Sequence, residues 1–222
     1  MAEKGKIITI SGSDGSGKQT QTKLLVERLR EKETRVETIS FPFYESFTGK
    51  LVREYLDGRL GTLKEINPKL ASLPYALDRL CKKEEIEDIL NKGYHLILDR
   101  YVQDNVAHQA AKFSGKEREE LASWIEELEF KVLKLPCPDL TLYLDLPINW
   151  AEKAMDNERR KKDIHESNEV YLNSVRDTFR YLAETRANWV KIDCLKQTKE
   201  ERKTIDEVNQ EIFSYVEKII KS

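Results

Sequence analysis

Near the start of the chain, Gly12-Ser13-Asp14-Gly15-Ser16-Gly17-Lys18 has the residue types and spacing of a loop that holds phosphate. Glycines let the backbone fold tightly around an anion, free amides at a helix N-terminus bind it, and a lysine reaches the terminal phosphates. The apolar run Ile7-Ile8-Thr9-Ile10 precedes the loop, and an amphipathic pattern at Thr22, Leu25, Val26 and Leu29 follows it. A strand and a helix therefore flank the loop, as that chemistry requires. After Lys18, where a Mg²⁺-binding hydroxyl usually stands, the chain has Gln19, and Thr20 comes one place late.

A second group lies in Leu96-Ile97-Leu98-Asp99-Arg100-Tyr101. An acid at the tip of a buried strand can act on Mg²⁺ or its waters, and the planar fork of Arg100 suits a second phosphate. An ordinary Asp-Arg ion pair is the alternative. Beyond it, Asn105, His108, Gln109 and Lys112 share one helical face, opposite Val106, Ala110 and Phe113. That face either presents amide and imidazole groups beside Arg100 or is simply solvated.

Tyr75 and Arg79 are four apart, hence helical neighbours, on the side away from a Leu70, Leu73, Leu77, Leu80 stripe. The pair can stack on a planar base and bond its edge, or form a surface stack. The basic run Arg159-Arg160-Lys161-Lys162 reads equally as a solvated helix end or as a flap whose arginine neutralises a transferring phosphoryl group.

Strand-like runs at Lys6 to Ser11, Val36 to Phe41, Tyr94 to Asp99, Leu140 to Leu146 and Trp189 to Ile192 must position these groups. Helical spacings recur between them, at Val175, Phe179, Leu182 and at Ile205, Val208, Ile212, Val216, Ile219. Alternating strands and helices predict an α/β fold: a parallel five-stranded sheet flanked by helices on both faces. Ligands in such sheets bind beyond the strands' C-terminal ends. Residues 1–222 read as one domain, with a short mobile lid at about 150–166.

Composition narrows the function. Lysine and arginine total 38 against 40 acidic residues, a net charge of -2, which disfavours a general nucleic-acid binder. No long apolar run predicts a membrane span or secretory signal, and three scattered cysteines suggest neither a disulfide framework nor a zinc site. The setting reads as cytoplasmic.

Together these residues resemble the thymidylate kinase family, nucleoside monophosphate kinases with a phosphate loop. The marks are Gly12 to Lys18, Phe41-Pro42-Phe43-Tyr44, Ala76-Leu77-Asp78-Arg79, Asp99-Arg100-Tyr101 with Asn105, Pro138 to Leu144, and a basic flap before Asp163-Ile164-His165-Glu166. The resemblance implies Mg²⁺-dependent phosphoryl transfer from ATP to dTMP and a homodimer. It implies that residues 12–20 bind ATP, that Asp14 meets the acceptor's 3′-hydroxyl, and that Tyr44 borders its sugar-phosphate end. Tyr75 would stack on thymine, Arg79 read its O4 and Asn105 stand near N3. Arg100 would hold the acceptor phosphate and Asp99 would serve Mg²⁺. His108 takes a place near the sugar's 2′ position where many relatives have tyrosine, and Tyr75 replaces the commoner phenylalanine. Some members carry a catalytic arginine in the loop and others in the flap. Here the loop has Gly15 and Ser16, so the duty falls to Arg159 or Arg160. A deoxynucleoside kinase acting on thymidine, or a nucleotide-binding switch without catalysis, are the rival readings.

Overall fold

The central strand β1 (Ile7–Gly12) is buried along its whole length. A strand covered by helices on both faces needs apolar side chains on both, and Ile7 and Ile8 point opposite ways into separate cores. In the computed structural model, which describes residues 4–155, 165, 168–198 and 200–221, four more strands join it: β2 (Val36–Ser40), β3 (His95–Asp99), β4 (Leu140–Asp145) and β5 (Trp189–Asp193). All are parallel, in the order β2-β3-β1-β4-β5. The expected five-stranded parallel sheet is present.

The helices are α1 (Lys18–Glu31), α2 (Phe47–Leu56), α3 (Pro68–Cys81), α4 (Lys83–Asn91), α5 (Val102–Ala110), α6 (Gly115–Glu126), α7 (Ile148–Met155), α8 (Glu169–Thr185) and α9 (Ile205–Ile220). On one face, Leu25, Val26 and Leu29 of α1 and Val208, Ile212 and Val216 of α9 pack on Ile8, Ile10, Ile97 and Leu142. On the other, Ile86, Val102, Val106, Leu121, Val175 and Phe179 cover Ile7, Leu96 and Leu98. Thr204 and Glu207 cap α9 reciprocally, which fixes where its amphipathic stripe begins.

Two patterns behave differently from expectation. On α3 the leucine stripe is not the packed side. Leu70 is 63% and Leu77 42% exposed, while Ala71, Ser72, Pro74, Ala76, Asp78 and Arg79 are buried. Small residues and Pro74 form the inward face, which packs against α2 and α5 and carries Asp78 and Arg79 with it. Phe113 is 40% exposed because α5 ends at Ala110, before helical spacing could turn it inward. On the face of α5 expected to be solvated or ligand-facing, Asn105 and Gln109 are buried and His108 and Lys112 half-buried.

The chain reverses its strand order at β1, whose neighbours are β3 and β4. The crevice beyond the C-terminal ends of these strands is the usual ligand position in open parallel sheets.

Candidate active site

At the end of β1 the backbone turns through Gly12 (φ 149°), Gly15 (φ 75°) and Gly17 (φ 95°), conformations that L side chains rarely adopt. Contact matters as much as φ. A Cβ on Gly12 would lie 2.8 Å from the Leu144 carbonyl oxygen, and one on Gly15 would lie 2.5 Å from that of Ala151 in α7. The loop is therefore pressed against β4 and against α7, the helix that opens the predicted lid. Gly17 caps α1 without a side-chain cap bond, and a Cβ there would meet Arg202 Nη2 at 3.4 Å, so the helix N-terminus faces an arginine and is available to an anion.

Lys18 is buried, and its Nζ donates to the Ser13 carbonyl at 2.8 Å, closing the loop on itself. Burial, then the nearby Arg100 charge, lowers its pKa below the ordinary lysine value. Gln19 and Thr20 are exposed. Arg202, which the sequence reading missed, donates from Nη2 to the Ser16 carbonyl at 3.3 Å.

Arg100 is the hinge between the loop and a second pocket. Its backbone is left-handed (φ 65°), a strained state for a non-glycine residue and one that concentrates at functional sites. The guanidinium bonds Asp14, and Nη1 donates to Asp104 Oδ1 at 3.0 Å. Burial opposes its charge, but the Asp14 and Asp104 carboxylates more than offset that and hold its pKa above the usual arginine value. Asp104 also accepts from Ser11 Oγ at 2.7 Å. Burial raises its pKa despite Arg100 and Lys18. Asp99 accepts from Ser40 Oγ at 3.3 Å, while its Oδ1 is buried with no hydrogen-bond partner among the described residues. That spare carboxylate oxygen fits a hard divalent cation or its water.

Beyond Arg100 lies a cleft partly open to solvent, on which charged, amide and aromatic side chains converge as they do in small-molecule sites. Asp14, Tyr44, Tyr75, Arg79, Arg100, Asn105 and His108 all line it, so the seven residues expected around the acceptor share one cavity. Tyr44 is placed by the loop after β2, which contains the cis Phe41–Pro42 bond. Asp78 pins that loop, accepting from the Phe43 amide at 2.8 Å and from the hydroxyls of Ser46 and Thr48 at 2.9 and 3.0 Å. Tyr75 meets Tyr55 edge-on, with centroids 6.1 Å apart.

Arg79 is not a surface partner of Tyr75. It is 3% exposed and paired with Glu129, which is 0% exposed, through Nε at 2.6 Å and Nη2 at 2.7 Å. Burial alone would disfavour the Arg79 charge, and Glu129 reverses this, leaving the pKa above the ordinary value. Glu129 stands in a π-helical turn, Glu127–Val132, at the end of α6. The sequence reading missed it. The signal was present: Leu121, Ile125 and Glu129 recur every four residues, so an acid continues a buried stripe. Arg53, whose guanidinium sits 5.4 Å over the Tyr44 ring, also lines the cleft and was missed. It is one of many arginines and carries no distinguishing pattern.

His108 stacks on His165, with centroids 5.2 Å apart and planes 15° apart. The Tyr171 hydroxyl donates to the His108 carbonyl at 2.8 Å, and His165 Nε2 lies 3.1 Å from the Tyr55 hydroxyl. Burial lowers both imidazole pKa values, helped by His165 at His108 and by Lys112 at His165, the latter ring to about 3. The candidate catalytic arginines, Arg159 and Arg160, lie outside the described residues, as does most of the predicted lid.

A parallel sheet with a glycine loop after β1, opening onto a second cleft lined by polar and aromatic side chains, defines a kinase fold of the phosphate-loop nucleoside monophosphate class. A sequence model described as thymidylate kinase matches residues 10–205. The chain is 27% identical to the thymidylate kinase of Plasmodium falciparum, covering 98% of this chain and 92% of that one. It is 33% identical to a probable thymidylate kinase of Methanosphaera stadtmanae, covering 94% and 98%. The solved thymidylate kinase of Candida albicans superposes with a TM-score of 0.74 at 27% identity, covering 98% and 93%. The chain belongs to the thymidylate kinase family.

Proposed function

We propose that the protein transfers the γ-phosphoryl group of ATP to the phosphate of dTMP, giving ADP and dTDP, with Mg²⁺ required. The observation that carries this reading is the position of Arg100. It stands between the phosphate loop and the cleft lined by Tyr75, Arg79 and Asn105, bonded to Asp14 of the loop itself. An acceptor whose base enters at Tyr75 would bring its phosphate to Arg100, facing a γ-phosphate held by residues 12–20.

An oxygen of the dTMP phosphate forms the new bond to the γ-phosphorus as the bond to the β-phosphate oxygen breaks, and ADP leaves. Such transfers need positioning and charge neutralisation more than covalent help. Lys18 and the α1 N-terminus would hold the donor phosphates. Arg100 would exchange carboxylate partners for the acceptor phosphate, and Asp14 would then be released towards the sugar. Mg²⁺, held by Asp99 directly or through water together with the nucleotide phosphates, would supply further neutralisation. Because Gln19 carries no hydroxyl and is exposed, the metal would lean on Asp99 and the nucleotide. Arg159 or Arg160 would complete the charge from the lid, since Gly15 is too closely packed to be replaced by a loop arginine.

In this reading the whole chain works as one kinase domain, with 150–166 as its lid. It acts as a homodimer, which sedimentation at graded concentrations would test. Three free thiols suit a cytoplasmic setting, to be checked by fractionation.

ADP release with ATP, Mg²⁺ and a panel of dTMP, dUMP, dCMP, thymidine and no acceptor tests the function. Turnover with dTMP above the others is expected. Turnover with thymidine alone would make the protein a nucleoside kinase, and silence with ATP bound would make it a switch.

A further inference from the structure

Glu129 contributes more than a counter-charge. Its Oε2 accepts from Arg79 Nε, and its Oε1 accepts both Arg79 Nη2 and, at 2.9 Å, the amide nitrogen of Asn105. The same Asn105 nitrogen donates to the Ser72 carbonyl at 3.2 Å. A carboxylate and a backbone carbonyl are both acceptors only, so the NH₂ end of Asn105 must face them. The amide oxygen then points the other way. It is buried with no hydrogen-bond partner among the described residues, on a side chain that is 3% exposed and lines the cleft.

The same pairing fixes Arg79. Nε and Nη2 face Glu129, and no hydrogen bond among the described residues engages Nη1 on the cleft-lining guanidinium. The cleft thus presents a donor from Arg79 and an acceptor from Asn105. Their complement is a base edge with a carbonyl beside an N–H, the O4 and N3–H of thymine or uracil. Cytosine reverses both signs, placing an amino group at position 4 and a lone pair at N3.

We infer that Glu129 is a positioning residue for base selection, locking the Asn105 amide and the Arg79 fork so that the cleft takes an imide base and refuses cytosine. This rests on the dTMP reading above.

The experiment compares the full-length protein with Glu129→Gln and Glu129→Asp, measuring kcat and KM for dTMP, dCMP and N3-methyl-dTMP alongside thermal stability. The native protein should prefer dTMP over dCMP by at least about 10²-fold in kcat/KM, because buried polar groups left unpaired reject the wrong partner strongly. It should refuse the N3-methyl analogue similarly. Glu129→Gln puts an NH₂ where an oxygen received Asn105, which frees the amide to turn. The dTMP KM should rise about tenfold or more and the dTMP/dCMP ratio fall by as much, with kcat at saturation within about threefold. Glu129→Asp keeps the charge and should lie between the two.

A folded Glu129→Gln with native KM and ratio would overturn the inference. So would loss of activity shared equally by all acceptors, the mark of a purely structural role. If Glu129→Gln does not fold, native turnover of N3-methyl-dTMP equal to that of dTMP overturns it on its own. Failure of the native protein with dTMP would instead sink the proposed function.

Discussion

The two halves of the site are built by opposite means. The phosphate loop is local: seven consecutive residues between a strand and a helix, whose candidate binding groups are backbone amides and one lysine. The acceptor cleft is assembled from α2, α3, α5, the π-helical turn and the loop after β2, over more than 100 residues of chain. Its binding groups are side chains held by other side chains. The loop depends on backbone conformation and contact at Gly12 and Gly15. The cleft depends on charge compensation at Arg79 and Glu129. A local site should therefore lose function without losing the fold, whereas a dispersed one should lose both.

The sharpest break is expected in the cleft. Arg79→Ala removes one partner of a fully buried ion pair and leaves Glu129 uncompensated, which costs about 3–5 kcal/mol of stability. Urea denaturation checks this. Arg79→Met with Glu129→Leu, which removes both charges, should recover most of the loss. If the single variant stays within about 1 kcal/mol of native, the cleft is not held by charge in the way described.

Next is Lys18→Ala. It should lower kcat by about 10²–10³-fold while leaving equilibrium dTMP binding close to native. Stopped-flow turnover and calorimetry separate the two quantities. An equal loss of dTMP affinity would mean that the halves are not separable.

Acidification offers a milder test, confined to the cleft. His108 and His165 are neutral in the folded chain because burial depresses their pKa values, whereas unfolded histidines take up protons from about pH 6.5 downward. A depressed folded pKa gives stability that is full above about 6.5 and is lost as pH falls towards the folded value, about 3 for His165. Going from pH 7 to pH 5 should cost about 2 kcal/mol for His165, with a further loss of the same sign from His108. His108→Gln should flatten the slope by roughly its share, and a native slope near zero would contradict the neutral stack.

The smallest effect is expected in the lid. Arg159→Ala and Arg160→Ala should each be tested, and one of them should lower kcat by at least about tenfold with stability unchanged. If neither does, the catalytic arginine lies elsewhere, and Arg53, above the Tyr44 ring, becomes the first place to look.

This contrast also explains what was legible in the sequence. Parallel strands covered on both faces must be apolar runs, so all five strands could be read to within about a residue at most ends. The loop could be read because its signature is a run of closely spaced glycines and a lysine between a strand and a helix. On α3 periodicity misled: leucines marked the outer face, since small residues and a buried ion pair can also make an inner one. Asn105 and Arg79 could be named through resemblance. Their bonding to Glu129 could not, because pairing across 50 residues leaves no local pattern. Its one trace, an acid in the Leu121, Ile125 stripe, is a cue worth seeking elsewhere.

The contact between Gly15 and the Ala151 carbonyl bears on how the family could have diversified. A side chain at position 15 meets backbone, which cannot turn aside as a long side chain would. Placing an arginine at position 15 would thus need α7 to retract first, and Gly15→Arg alone should be harmful here. In this chain the barrier to a loop arginine at that place is one close contact between a glycine and a helix backbone.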